Sequence, residues 1–175
     1  MIYALYAIAA LAGLMVLIVS GGALRSSDYT IARSLLIAAT PQQLFPYINN
    51  LKKFQEWNPY KDKDPQARNE FSGPEAGLGA VFHWSGNAQV GEGIMTILDS
   101  IPDGKVSLDL KFLKPFPGHN MVDFTLAPQP GGTLVTWSMK GKFALVPKIV
   151  GLFINLDKMI GADFENGLQR LKKLI

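Results

Sequence analysis

Cysteine is absent from the 175 residues, and histidine occurs only twice. No disulfide framework, thiolate zinc site or cysteine nucleophile can therefore be built from this chain. His83 and His119 lack partners at metal-ligand spacing. No serine sits in a nucleophile elbow, and the glycines near Gly91 are not followed by a helical pattern, so neither a hydrolase signature nor a dinucleotide fingerprint is present. Excess charge of one sign is also scarce: 17 Lys and Arg face 14 Asp and Glu, a net +3. The basic residues come singly or in pairs, such as Lys52-Lys53 and Lys172-Lys173, with no arginine-rich run. Nucleic acid is not expected as a partner. No cofactor or metal is implied.

One further absence is local. No side chain from Ile2 to Leu24 carries a charge; the first to do so is Arg25. The run holds ten Leu, Ile and Val residues, each worth roughly 0.3–0.6 kcal/mol in an inserting helix. Its length matches a hydrocarbon core of about 30 Å, and Tyr3 and Tyr6 sit at one end, where interfacial aromatics belong. A cleaved signal peptide is the first rival, but no Lys or Arg precedes the run and no clean Ala-x-Ala site follows it. A buried core helix is the second, but it would usually carry a polar face. The expectation is an uncleaved transmembrane anchor over residues 1–25 and one domain over residues 26–175. Arg25 and Arg33 follow the helix, so the positive-inside bias predicts a single-pass membrane protein with a cytoplasmic domain; export to the periplasm is the alternative.

Beyond the anchor the pattern changes. Tyr29 to Ile37 is apolar and β-branched, a strand. Thr40-Pro41 opens a helix, with Thr at the N-cap and Pro in the first turn. Pro46 predicts a break there, hence two short helices, the second running from Leu51 to Trp57. Tyr60 to Arg68 reads as a loop. Strands follow over Ala80–Ser85, Gly93–Ser100, Lys105–Phe112, Met121–Leu126 and Thr133–Phe143, the last pair joined by the Pro130-Gly131-Gly132 turn. Val106, Leu108, Leu110 and Phe112 alternate with polar residues, as do Val135, Trp137 and Met139, so the sheet has one dry face. After Pro147, apolar residues from Ile149 through Phe153, Leu156, Ile160, Phe164 and Leu168 to Leu171 recur every three or four positions, predicting one long amphipathic helix. That helix must cover the dry face. The fold class is α+β: a curved antiparallel sheet gripping a C-terminal helix.

Several stretches carry a family resemblance: Phe54-Gln-Glu-Trp57-Asn58-Pro59, Gly77-Leu-Gly79, Trp84-Ser-Gly86-Asn87, Gly91-Glu92-Gly93-Ile-Met-Thr-Ile97, Gly132-Thr-x-Val135-Thr-Trp137-x-Met139-x-Gly141, and Asp163-Phe-Glu165-Asn-Gly167-Leu168. From about Tyr29 onward the chain resembles the SRPBCC superfamily of START-like, polyketide cyclase/dehydrase and lipid transport proteins. The resemblance implies a helix-grip fold around a deep apolar cavity. It does not imply one chemistry, because the fold hosts many sites.

The expected cavity lining is Trp57, Phe82, Trp84, Met95, Phe112, Phe124, Trp137 and Met139, with Phe153 and Met159 from the helix. Plain core packing is the competing role for each. The loop Lys114 to His119, with Phe116 at its tip, is either a strand connection or a gate facing a bilayer. His83, Glu92 and Asp109 would make an acid/base group only if they shared a cavity wall; alternation turns His83 and Asp109 outward. The expected function is non-catalytic binding of a hydrophobic small molecule or lipid near a membrane. The alternatives are a cyclase- or dehydratase-like enzyme acting in the same cavity, and a protein-interaction module whose cavity is filled.

Overall fold

The computed structural model describes residues 2–175. Helix α1 (Ile2–Leu24) is the apolar segment; Gly22 is its one buried residue, and none of its side chains is buried in the protein. Only Arg25, Ser26 and Ser27 separate it from strand β1 (Asp28–Ile37).

Two short helices follow, α2 (Pro41–Asn49) and α3 (Leu51–Trp57). Thr40 and Gln43 form a capping box at the start of α2, which satisfies two otherwise orphaned amides. The expected break at Pro46 is displaced. Pro46 lies inside α2, and the chain turns instead at Asn50. The extended backbone of Asn50 ends one helix while its side chain accepts from the amides of Lys52 and Lys53 to begin the next. A side chain that caps decides the boundary here, because one missing proline amide costs a single helical bond.

Seven antiparallel strands make one sheet in the order β1-β7-β6-β5-β4-β3-β2. The others are β2 (Arg68–Ser72), β3 (Val81–Ser85), β4 (Glu92–Ile101), β5 (Lys105–Lys114), β6 (Gly118–Gln129) and β7 (Gly132–Lys142). Strand β2 has no counterpart in the sequence reading. It is a five-residue edge strand with every residue exposed, so no dry face marks it. In β4 the inward set is Gly93, Met95 and Ile97, and a register shift between Ile97 and Asp99 ends the alternation.

The long helix expected after Pro147 divides in two. Helix α4 (Leu145–Val150) stops at Gly151, and α5 (Leu156–Leu174) restarts at Asn155, whose side chain caps Lys158. Phe164, Leu168 and Leu171 of α5 are buried against the concave face of the sheet. Burying each removes side-chain surface worth about 1.5–3 kcal/mol from water. Arg33 of β1 clamps the helix from outside, reaching Asp157 at 3.0 Å and Glu165 at 2.8 Å.

Candidate functional site

The curled sheet, α3 and α5 enclose a cavity of about 420 Å³. Its apolar wall follows from alternation. On β6, Val122 and Phe124 point inward, and on β7 so do Trp137 and Met139. Phe82, Trp84, Met95 and Phe112 extend the wall across β3, β4 and β5, and Met159 adds to it from α5. Trp84 is tied by its indole N–H, which donates to the carbonyl of Val90 at 3.0 Å.

Two residues expected in the lining lie elsewhere. Trp57 is completely buried behind the wall, donating its indole N–H to the carbonyl of Tyr47 at 3.0 Å. It packs edge-on against Phe54, Phe124 and Trp137, so it holds the wall from behind. Phe153 is 72% exposed, because it falls in the turn between α4 and α5. The periodicity that included it runs across a helix break.

The cavity also has a polar side that sequence alternation missed. Tyr29 on β1 donates its hydroxyl to Oδ1 of Asn120 on β6 at 2.7 Å. The two strands flank β7, and both residues pair with Gly141. A side chain at Gly141 would occupy the space where this bond runs. Tyr60, just after α3, lies beside Asp163 of α5, and Lys63 pairs with the same carboxylate at 2.8 Å. All five of these polar side chains line the cavity. Burial pushes the Tyr29 phenol up to about 12. Burial, followed by the negative charge of Asp163, also raises Tyr60. Both hydroxyls therefore stay protonated at neutral pH. The inward alternation of Val122 and Phe124, extended two residues back, reaches Asn120, one residue before the Met121–Leu126 strand that the sequence predicts.

His83, Glu92 and Asp109 do not line the cavity. His83 lies 3.4 Å from Glu92 and 3.5 Å from Glu70 on the outer face of the sheet. Glu92 is lowered chiefly by its hydrogen bond from Lys114. Asp109 bonds Lys111 and His119 there, and these contacts outweigh burial to hold its carboxyl below the usual value. Among the described residues, no group of three or more His, Asp or Glu could hold a metal ion.

Comparison with solved structures returns the same architecture. A protein from Chromobacterium violaceum is 16% identical, with 83% of this chain and 96% of that one covered at a TM-score of 0.61. Norcoclaurine synthase from Thalictrum flavum, solved with dopamine and hydroxybenzaldehyde, is 13% identical over 85% of this chain and 87% of its own, also at 0.61. The di-domain ARO/CYC of the steffimycin biosynthetic pathway is 10% identical, matching 84% of this chain and 50% of that one at 0.61. At these identities the likeness is one of fold. A search of curated proteins finds no match. The family model for polyketide cyclase / dehydrase and lipid transport matches residues 29–175. With the seven-stranded grip, the C-terminal helix and the enclosed cavity in place, the chain belongs to the polyketide cyclase / dehydrase and lipid transport family.

Proposed function

We propose that the protein binds an apolar small molecule or lipid in the cavity between sheet and α5, without converting it, at a membrane in which α1 is anchored. The observation that carries this reading is the cavity itself. Its volume of about 420 Å³ lies within the usual range for small-ligand sites, and aromatic and aliphatic side chains make most of its wall. Surface removed from water there contributes about 25 cal/mol per Å² before association costs.

The membrane part rests on α1 and what it touches. The helix is long and apolar enough to cross a bilayer. Its end docks on α4: Gly22 lies against Ile149, Lys148 donates to the carbonyl of Ala23 at 2.8 Å, and Arg25 donates to that of Gly151. The α4 segment also contributes to the cavity lining through Ala144 and Pro147, as the β5–β6 loop does through Phe116 and Pro117. Exposed Leu145, Val146, Leu152, Phe153 and Ile154 continue the apolar surface beyond it. This arrangement favours entry of the ligand from the bilayer. Arg25 on the domain side of α1 favours a cytoplasmic domain.

A cyclase-like enzyme is the second reading, favoured by the Tyr60–Asp163–Lys63 group on the cavity wall, which could hand protons to a bound substrate. Native mass spectrometry of the full chain extracted from its own membrane tests both. An intact apolar molecule retained unchanged through prolonged incubation is the expected result. Conversion of the retained molecule, abolished by Asp163→Asn, would favour the enzyme; an empty cavity would defeat both readings.

A further inference from the structure

If α1 crosses a bilayer as proposed, it fixes the depth of whatever it touches. Its 23 residues extend about 34 Å at about 1.5 Å per residue, slightly more than a hydrocarbon core of about 30 Å. Its last turn would then end at the boundary between acyl chains and headgroups. That turn is where α4 is fastened. Gly22 lies against Ile149, a side chain at Gly21 would touch Leu152, and Lys148 donates to the carbonyl of Ala23 at 2.8 Å. The chain from α4 to the start of α5 is held at the same level.

Its composition suits that depth. Leu145, Val146, Leu152, Phe153 and Ile154 are each at least 40% exposed, and large apolar side chains gathered in this way are seldom left to water. Negative charge is missing beside them: no Asp or Glu occurs between Asp123 and Asp157. Asp157 is taken by Arg33, and Asp28 by Lys142. Three cations remain. Arg25 donates to the carbonyl of Gly151 in the turn, Lys148 precedes the turn, and Lys158 follows it in α5. Among the described residues none of the three pairs with a carboxylate. Apolar side chains bracketed by free cations match the boundary of an anionic leaflet, acyl chains on one side and phosphates on the other.

We propose that the α4–α5 turn docks into a leaflet containing anionic phospholipid, with Leu152, Phe153 and Ile154 among the acyl chains and Arg25, Lys148 and Lys158 at the phosphates. This rests on the reading of α1 as a membrane anchor and adds a second, charge-selective contact. Ala144, Pro147 and Met159 of the same stretch line the cavity, so docking sets that side of the cavity against the lipid.

The chain has no cysteine, so Phe153→Cys gives a single site for a nitroxide label. Leu78→Cys, at a residue 68% exposed in the connection before β3, supplies the control. Each full-length protein is placed in nanodiscs of phosphatidylcholine alone or with phosphatidylglycerol, and collisions of the label with oxygen and with a nickel chelate are measured. With the anionic lipid, the label at position 153 should meet oxygen and be shielded from the chelate, while the label at position 78 meets the chelate in both discs. Lys158→Gln should lower the ratio of docked to undocked label about fivefold in anionic discs, the effect of one lysine near such a surface, and leave it unchanged in neutral discs. A label at position 153 as open to the chelate as the one at position 78 overturns the proposal, as does docking indifferent to lipid charge. Shielding from both reagents with dipolar broadening overturns it too, and assigns the face to a second copy of the chain. In all three cases α1 stays in the disc and its anchoring stands. Failure of the full chain to enter discs at all would bring down the anchor and the proposal together.

Discussion

The indole of Trp137 lies flat on the ring of Phe164, with centroids 4.2 Å apart and planes 7° from parallel. One residue belongs to strand β7, next to the edge strand β1, and the other to α5, so the stack joins sheet to helix at the cavity wall. Trp137→Ala should destabilise the protein by about 3–5 kcal/mol, read from the denaturant midpoint. Trp84 is only partly buried at the far side of the cavity, so Trp84→Ala should cost clearly less while still weakening retention of an apolar ligand. Equal losses from the two truncations would mean that the stack does not carry the sheet–helix contact.

Arg33 binds two carboxylates of α5, Asp157 and Glu165, and also the backbone carbonyl of Asp157 at 3.1 Å. The carboxylates are largely solvent-exposed, so water screens the pairing and Arg33→Ala should cost only about 1 kcal/mol globally. Its local effect should be larger. Hydrogen exchange should rise in the first turns of α5 and stay unchanged in β4 and β5.

Stability should fall at both ends of the pH scale, for opposite reasons. The Tyr29 phenol is raised from 10.0 to about 12 by burial, so the folded state keeps a proton that the unfolded chain has lost. Its contribution is complete below pH 10 and disappears as pH rises toward 12. Asp123 behaves inversely. Burial pushes its carboxyl up, but bonds from Ser107 at 2.6 Å and Lys105 at 3.0 Å outweigh it and leave it below 3.8. That contribution is present above 3.8 and is lost as pH falls through the lower folded value. Thermal melts across pH should show Tyr29→Phe flattening the alkaline limb alone and Asp123→Asn the acid limb alone.

Deleting residues 1–24 should move the protein from the membrane fraction to the soluble fraction with the sheet and α5 intact by circular dichroism. A full-length product released by carbonate washing, or shortened by cleavage after Ser20, would refute the anchor. Gly22→Leu offers a finer probe, since Ile149 occupies the space a side chain would need. It should leave membrane attachment unchanged and increase protease cutting between α4 and α5.

The legible parts of the fold were those in which one face meets water and the other does not. Strand β7 alternates along its length, and β5 alternates in sequence from Lys105 to Phe112 although Ser107 is buried as well. Strand β2 was invisible because an edge strand exposed on both sides has no alternation to read. The α4–α5 break was hidden because apolar residues continue at helical spacing through it, on one side facing the core and on the other outward. The aromatic wall of the cavity was legible for the same reason as the strands. Its polar side was not: Tyr29, Tyr60, Asn120 and Asp163 lie far apart in sequence, and only the register over Gly141 and the approach of α5 bring them to one chamber.

Three residues connect α1 to β1, a tether that reaches about 10 Å at full extension. If α1 is held in a bilayer as proposed, the domain could not act as a free carrier through the surrounding water. Its search for a ligand would then be two-dimensional, confined to molecules diffusing in the leaflet beside it, where the short tether would keep local concentration high. Exchange with a second membrane would then require that membrane to be brought into contact, so the rate of delivery would be set by apposition of the two surfaces.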